Sequence, residues 1–234
     1  MTRREYGQFC GLSRALEIVG ERWALLIVRD LLVGPKRLDD MHKGLPRMPQ
    51  DILAARLKEL ERSGIVRRHG PSPSNGSDSD ELGEPDGSTV FELTESGSEL
   101  EDAVLKLALW GTRLLDKPRP KDIVTPDSLV MALRTTFRPE AAVGVRVSYE
   151  LRFGPEMIIH ARIDDGAIEA AEGPLPDADL VIEPGPMLKA LMAREVTPAK
   201  VLEDGSVSLT GDPNLLNRFV DLFYIPPAPA ARQS

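Results

Sequence analysis

The chain has a single cysteine, Cys10, in 234 residues, which excludes an intramolecular disulfide and a cysteine-rich metal site and leaves only a bridge between subunits or to a small thiol. Histidine is scarce as well: His42, His69 and His160 fall in separate segments, with no His-x-x-x-His spacing, and no Gly-rich phosphate loop occurs. The adjacent carboxylates Asp164-Asp165, which could be taken for a catalytic pair, fit a hairpin turn better. No enzyme, cofactor or metal is expected from such a sequence. Long apolar runs are missing too. Nothing approaches the roughly 18 residues of a membrane span, and residues 1–9 mix Arg, Glu and Gln where a signal peptide would need about 7 to 15 apolar positions. The expectation is a cytoplasmic protein with no membrane contact.

What is present is a hydrophobic fraction of 41% and a charged fraction of 28%, ordinary for a globular protein, in a chain long enough for two domains. The net charge of −8 argues at first against a nucleic-acid partner, but its distribution reverses that impression. Residues 1–70 carry 14 Lys and Arg against 9 Asp and Glu, whereas the remainder carries 15 against 28. A basic module precedes an acidic one.

In the basic half, Leu12, Leu16 and Val19, then Trp23, Leu26, Ile27, Asp30 and Leu31, recur at helical spacing, so two short helices meet near Gly20. Gly34-Pro35 breaks the chain. Asp39 is the expected N-cap of a short helix through Lys43, and Pro49 the expected first position of a helix running to Ser63 with Gly64 as its C-cap. Leu53, Leu57 and Leu60 give that helix a core face, while Gln50, Asp51, Ala54, Arg56, Lys58 and Glu61 give it a polar one. Two strands, Ile65-Val66-Arg67-Arg68 and Val90-Phe91-Glu92-Leu93, enclose a loop. Thr94 then caps a helix expected to reach Leu115. Helix, helix, helix, strand, loop, strand is the order of a winged helix-turn-helix domain.

The ordered strings that begin Cys10-Gly-Leu-Ser-Arg-Ala-Leu-Glu, Gly34-Pro35-Lys-Arg-Leu, Arg56-Leu-Lys-Glu-Leu-Glu-Arg-Ser-Gly-Ile-Val and Phe91-Glu-Leu-Thr-Glu-Ser-Gly, with Trp110-Gly111 near the end of the last helix, resemble the HxlR-type winged helix-turn-helix regulators of bacteria. The resemblance implies a transcriptional regulator that binds double-stranded DNA as a homodimer, joined through its first and last helices, and many such proteins repress nearby genes. It would set the helix after Pro49 in the major groove, with Gln50 and Arg56 near bases or backbone, Lys36, Arg37, Arg47 and Lys58 on phosphates, and Arg67 and Arg68 at the base of the wing. Each of these cations taken alone is equally a solvated surface charge. Asp51, Ala54 and Ala55 make base contacts sparse. The wing at 71–88 carries Asp78, Asp80, Glu81, Glu84 and Asp86 without a basic residue, so a disordered tip that phosphate repels is expected there. Cys10 has two readings: a small apolar residue packed at the dimer interface, or, as the resemblance suggests, a redox or electrophile sensor whose thiol pKa is lowered by Arg3, Arg4 or Arg14.

Lys117-Pro118-Arg119-Pro120 breaks the last helix, which divides the chain into a winged domain at 1–116, a linker at 117–125, a second domain at 126–225 and a disordered tail at 226–234. In the second domain Thr125-Pro126 opens a helix. Val145, Val147, Tyr149, Leu151 and Phe153 alternate with polar residues as a half-buried strand, and Asp165-Gly166 turns a hairpin. Further strands at Leu180 to Glu183 and Val207 to Thr210, interleaved with helices at Met187, Thr197-Pro198 and Asp212-Pro213, complete an α+β domain with a five-stranded sheet and flanking helices. The fold class is thus a mainly α winged helix-turn-helix domain followed by this α+β domain. The strand pair ending at Asp164-Asp165-Gly166, the run from Ala178 through Met187 to Met192, and Lys200 to Asp212 resemble the sterol carrier protein type 2-like fold. That resemblance implies an apolar cavity for a hydrophobic small molecule, with Met187, Leu188, Leu191, Met192, Phe219 and Phe223 as wall residues or simply as core. A competing reading is a lipid or small-molecule carrier or adaptor whose winged helix meets proteins instead of DNA.

Overall fold

Trp23, with a φ of +81°, turns the chain between α1 (Gly11–Val19) and α2 (Ala24–Val33), an uncommon conformation for a bulky side chain, and the Arg22 guanidinium lies over its ring at 4.8 Å. The computed structural model describes residues 5–69, 89–115, 119 and 121–228, and the chain divides into two compact units, Met1–Val104 and Leu105–Ser234. The wing tip expected at 71–88, linker residues 117, 118 and 120, and the tail at 229–234 lie outside the described residues.

In the first unit, β1 (Lys36–Arg37) leads directly into α3 (Leu38–Gly44), and α4 (Gln50–Arg62) follows after a short turn. Then come β2 (Val66–His69), β3 (Val90–Leu93), α5 (Glu95–Ser98) and α6 (Glu101–Thr112), the last crossing the division between the units. The core is built from Ile27, Val28 and Leu31 of α2, Leu38 and Met41 of α3, Leu53, Leu57 and Leu60 of α4, and Phe91 of β3. Each such side chain taken out of water is worth about 1.5 to 3 kcal/mol.

Four details depart from the sequence expectation. The sheet has three strands in the order β1-β3-β2, because Lys36 and Arg37 pair antiparallel with Phe91 and Val90; two residues are too few to show a period. Asp39 is not the cap of α3: Arg37 holds that position and Asp39 sits in the first turn, where its charge faces the positive helix end. Pro49 is likewise the residue before α4 rather than its first, and Ser63 rather than Gly64 ends it. The helix after Thr94 is not continuous: Thr94 Oγ1 accepts from the Gly97 N–H at 3.0 Å as expected of a cap, but α5 stops at Ser98 and α6 begins afresh at Glu101.

In the second unit, Thr125 and Ser128 cap each other's backbone N–H groups and open α7 (Pro126–Thr136). Then follow β4 (Arg146–Arg152), β5 (Ile158–Asp164) and β6 (Ala167–Glu172) as an antiparallel meander. Asp165 at φ +46° and Gly166 at φ +85° form the two-residue turn that joins β5 to β6. The rest is β7 (Leu180–Glu183), α8 (Leu188–Met192), α9 (Pro198–Glu203), β8 (Ser208–Gly211) and α10 (Asn214–Leu222). The mixed sheet has the order β6-β5-β4-β7-β8, with β4 and β7 parallel. Its inner face, Val147, Tyr149, Leu151, Ile159, Ala161, Ile163, Leu180 and Ile182, is buried. The unit closes through its own far end: Phe137 bridges to Phe223, the Tyr224 N–H donates to the Thr136 carbonyl at 2.8 Å, and the Ile225 N–H to Met192 at 2.9 Å.

The alternation of β4 puts Glu150 on the outward side, yet this carboxylate is only 2% exposed. The segment after β6 folds over it: the Leu175 N–H and the Arg152 Nε both donate to it at 2.6 Å, and across the strand pair His160 Nδ1 donates to the Gly173 carbonyl at 2.9 Å. A buried charge is tolerable because each oxygen has a donor. No helix among the described residues is long and apolar enough to cross a membrane.

Candidate nucleic-acid interface

Helix α4 is anchored by Leu53, Leu57 and Leu60, which bury one stripe at helical spacing and so turn the opposite stripe outward. That outer side carries Asp51, Ala55, Lys58 and Arg62, with Gln50 and Ile52 exposed at its borders. Gln50 is exposed at the very start of the helix and Arg47 is exposed in the turn before it; Arg37 is exposed in β1, and Lys36 and Lys58 are half-buried. Three of these five, Arg37, Arg47 and Gln50, are thus exposed.

The other three expected contacts are engaged differently. Arg56 is tied to Glu59 one turn along α4 and lies 3.7 Å from Glu21, which precedes α2. Arg68 Nε is 3.1 Å from Glu61. Arg67 and His69 of β2 converge on Glu92 of β3 at 2.5 Å and 2.6 Å, and the hydrogen bonds from His69 and Arg67 hold the Glu92 carboxyl below its usual range. Sequence reasoning missed Arg62 and Ile52, both exposed on α4; the place four residues after Lys58 is the signal that leads to Arg62.

Cys10 is exposed and precedes the first turn of α1. Its thiol pKa is lowered, as expected, but by the backbone N–H groups of Ser13 and Leu12 at the helix start and not by arginine: Arg14 is paired with Glu17 at 3.0 Å, and Arg3 and Arg4 lie outside the described residues.

Of the six expected wall residues in the second unit, Leu188, Leu191, Met192, Phe219 and Phe223 are buried and Met187 is half-buried. Phe219 meets Phe223 at 4.7 Å between ring centroids and Tyr149 edge-on at 5.2 Å. The Tyr149 O–H donates to the Leu215 carbonyl at 3.3 Å, and burial pushes its phenol strongly up.

Comparison with known proteins finds a family over the first half of the chain. The family described as HxlR-like helix-turn-helix matches residues 18–119. The chain is similar to the uncharacterized HTH-type transcriptional regulator YvaP of Bacillus subtilis, 31% identical over 104 residues that make up 44% of this chain and 86% of that protein. It is also similar to the HTH-type transcriptional regulator YodB of the same organism, 30% identical over 45% of this chain and 84% of that protein. Among solved structures, a double mutant of the sec-alkyl sulfatase PisA1 has a likeness at 25% identity and a TM-score of 0.39, covering 43% of this chain and 16% of that one. At that score the likeness assigns nothing.

Proposed function

The chain belongs to the HxlR-like helix-turn-helix family, and from that premise we propose that it is a homodimeric repressor that grips double-stranded DNA with α4 and answers to a hydrophobic small molecule held by its second unit. The observation that carries the reading is the two-sided α4: a leucine stripe buried in the first unit, and an outward side with Asp51, Ala55, Lys58 and Arg62, preceded in the chain by the exposed cations Arg37 and Arg47. Such a surface gains most of its affinity from phosphates.

Binding of the full chain to a duplex from the region upstream of its own gene, followed by fluorescence anisotropy, is expected to weaken steeply with salt. Four cations, Lys36, Arg37, Arg47 and Lys58, give a slope of log affinity on log salt of about −3.6 per protomer and twice that for a pair. No binding to any such fragment at low salt would defeat the reading in favour of the adaptor, which the exposed Ile52 and the alanines of α4 otherwise suit.

Two helices support the homodimer. Leu12 and Leu16 of α1 are exposed, as are Leu107 and Trp110 of α6 with Leu114 just beyond it, at spacings that put each set on one helical face. A second copy would take these side chains out of water. For the ligand, the unbranched Met187 and Met192 beside Leu188 and Leu191 offer an adaptable apolar wall, whereas Phe219 and Phe223 are taken up by the aromatic cluster with Tyr149.

Cys10 is assigned to sensing an oxidant or electrophile. Its lowered pKa makes more thiolate available at neutral pH, so the pH midpoint of its alkylation by iodoacetamide is expected below that of the same cysteine in the urea-unfolded chain. Equal midpoints would remove the helix start as the activating group.

A further inference from the structure

The DNA-binding reading is the ground on which this inference stands, and the inference deepens it: we infer that Arg56 and Glu21 form a positioning pair that fixes the angle of α4, and that Arg56 does not touch DNA. The Arg56 side chain is only 18% exposed. One terminal nitrogen is on Glu59, the other is 3.7 Å from Glu21, and its Nε is buried. Moving this guanidinium out to a phosphate would give up its contacts with two carboxylates, one of them on the same helix and both only partly exposed.

Position on the helix agrees. Arg56 follows Leu53 by three residues and precedes Leu57, so it flanks the buried stripe and is not on the outward side that carries Asp51, Ala55, Lys58 and Arg62. Glu21, its partner, lies in the turn between α1 and α2 that Trp23 holds in a left-handed conformation. A second tie, Glu61 to Arg68 at 3.1 Å, holds the far end of α4 to β2. Helix α4 is thereby fastened near its middle to one element and near its end to another, with the DNA-facing line left clear. Side chains that read base edges must be held within about 0.5 Å and 10 to 20° of their working geometry, and two ionic ties of this kind supply that constraint.

The two roles give opposite results. Anisotropy titrations of the full-length wild type, Glu21→Gln, Arg56→Gln and the exchange Glu21→Arg with Arg56→Glu are run over a range of salt, on the upstream duplex and on a scrambled duplex of equal length. For a positioning pair, each single variant loses about tenfold on the upstream duplex, keeps its affinity for the scrambled one and keeps the wild-type salt slope; the exchange recovers most of the loss. For a phosphate contact, Arg56→Gln weakens both duplexes alike and lowers the salt slope by about 1, while Glu21→Gln, by removing a negative charge, binds as tightly as wild type or tighter. Either of those results overturns the inference, as does an exchange variant that recovers nothing while melting at the wild-type temperature. A wild type that binds neither duplex at low salt is a separate failure, of the DNA-binding reading itself.

Discussion

Replacing Gly97 by alanine is expected to cost the first unit about 3 kcal/mol, although the change adds a single methyl group. Gly97 is buried in α5, and a Cβ there would lie 2.1 Å from the Ile65 carbonyl oxygen and 3.2 Å from Leu93 Cδ2. The oxygen cannot retreat easily. It accepts from the Thr94 N–H at 3.0 Å, and Thr94 Oγ1 donates to the neighbouring Gly64 carbonyl at 2.6 Å. Relief requires α5 to move off the start of β2 and the end of β3, which breaks the Thr94 bonds and loosens Ile65, whose own N–H donates to Leu60 at the end of α4 at 2.9 Å. The damage therefore reaches the outward-facing helix. Urea unfolding followed by the fluorescence of Trp23, in a background where Trp110 is phenylalanine, measures it. Gly111→Ala, with nothing within 4 Å of its Cβ, is the control and is expected to change stability by less than about 1 kcal/mol. A Gly97→Ala variant within about 0.5 kcal/mol of wild type would show that the close approach does not matter.

Removing the Phe219 ring is expected to have a similar or larger effect in the second unit, a loss of about 4 kcal/mol for Phe219→Ala. This side chain is 0% exposed and sits between Phe223 and Tyr149, so its loss opens a cavity where α10 meets β4. Phe223 in turn faces Phe137 at 5.9 Å, which extends the consequence to the end of α7. Phe219→Leu, which keeps most of the volume, is expected to lose less than half as much. Guanidinium unfolding followed by the near-ultraviolet dichroism of tyrosine reads the difference. A loss under about 1.5 kcal/mol for the alanine variant would mean that the ring lines a space and does not fill a core.

The elements most legible in the sequence were those whose signals are local. Thr125-Pro126, Asp165-Gly166 and the alternation of β4 each specify their structure within a few residues, and Leu53, Leu57 and Leu60 specify a buried face through helical period alone. What was not legible depends on partners distant in the chain. Glu150 reads as outward from its neighbours in β4, and only the return of the chain at Leu175 buries it. Arg56 reads from its neighbours as a surface cation, and only the fold brings it beside Glu21 of another element. Strand β1 exists through pairing with β3, more than fifty residues on in sequence. Cys10 shows the remaining case, in which the expected lowering of the pKa is present and its cause is a helix start instead of a neighbouring arginine.

The two units also differ in when they can become complete during synthesis. The first ends at Val104, by which point its three strands and every helix but the rest of α6 have been made. In the second, β4, β5 and β6 pair with immediate neighbours, but β7 must cross over to lie parallel to β4, and Phe137, Thr136 and Met192 wait for Phe223, Tyr224 and Ile225. Chains leave the ribosome at about 5 to 20 residues per second, so the winged unit has several seconds in which to fold before the residues that close its companion have been made. The DNA-binding half is thus the earlier-finished half of every newly made molecule.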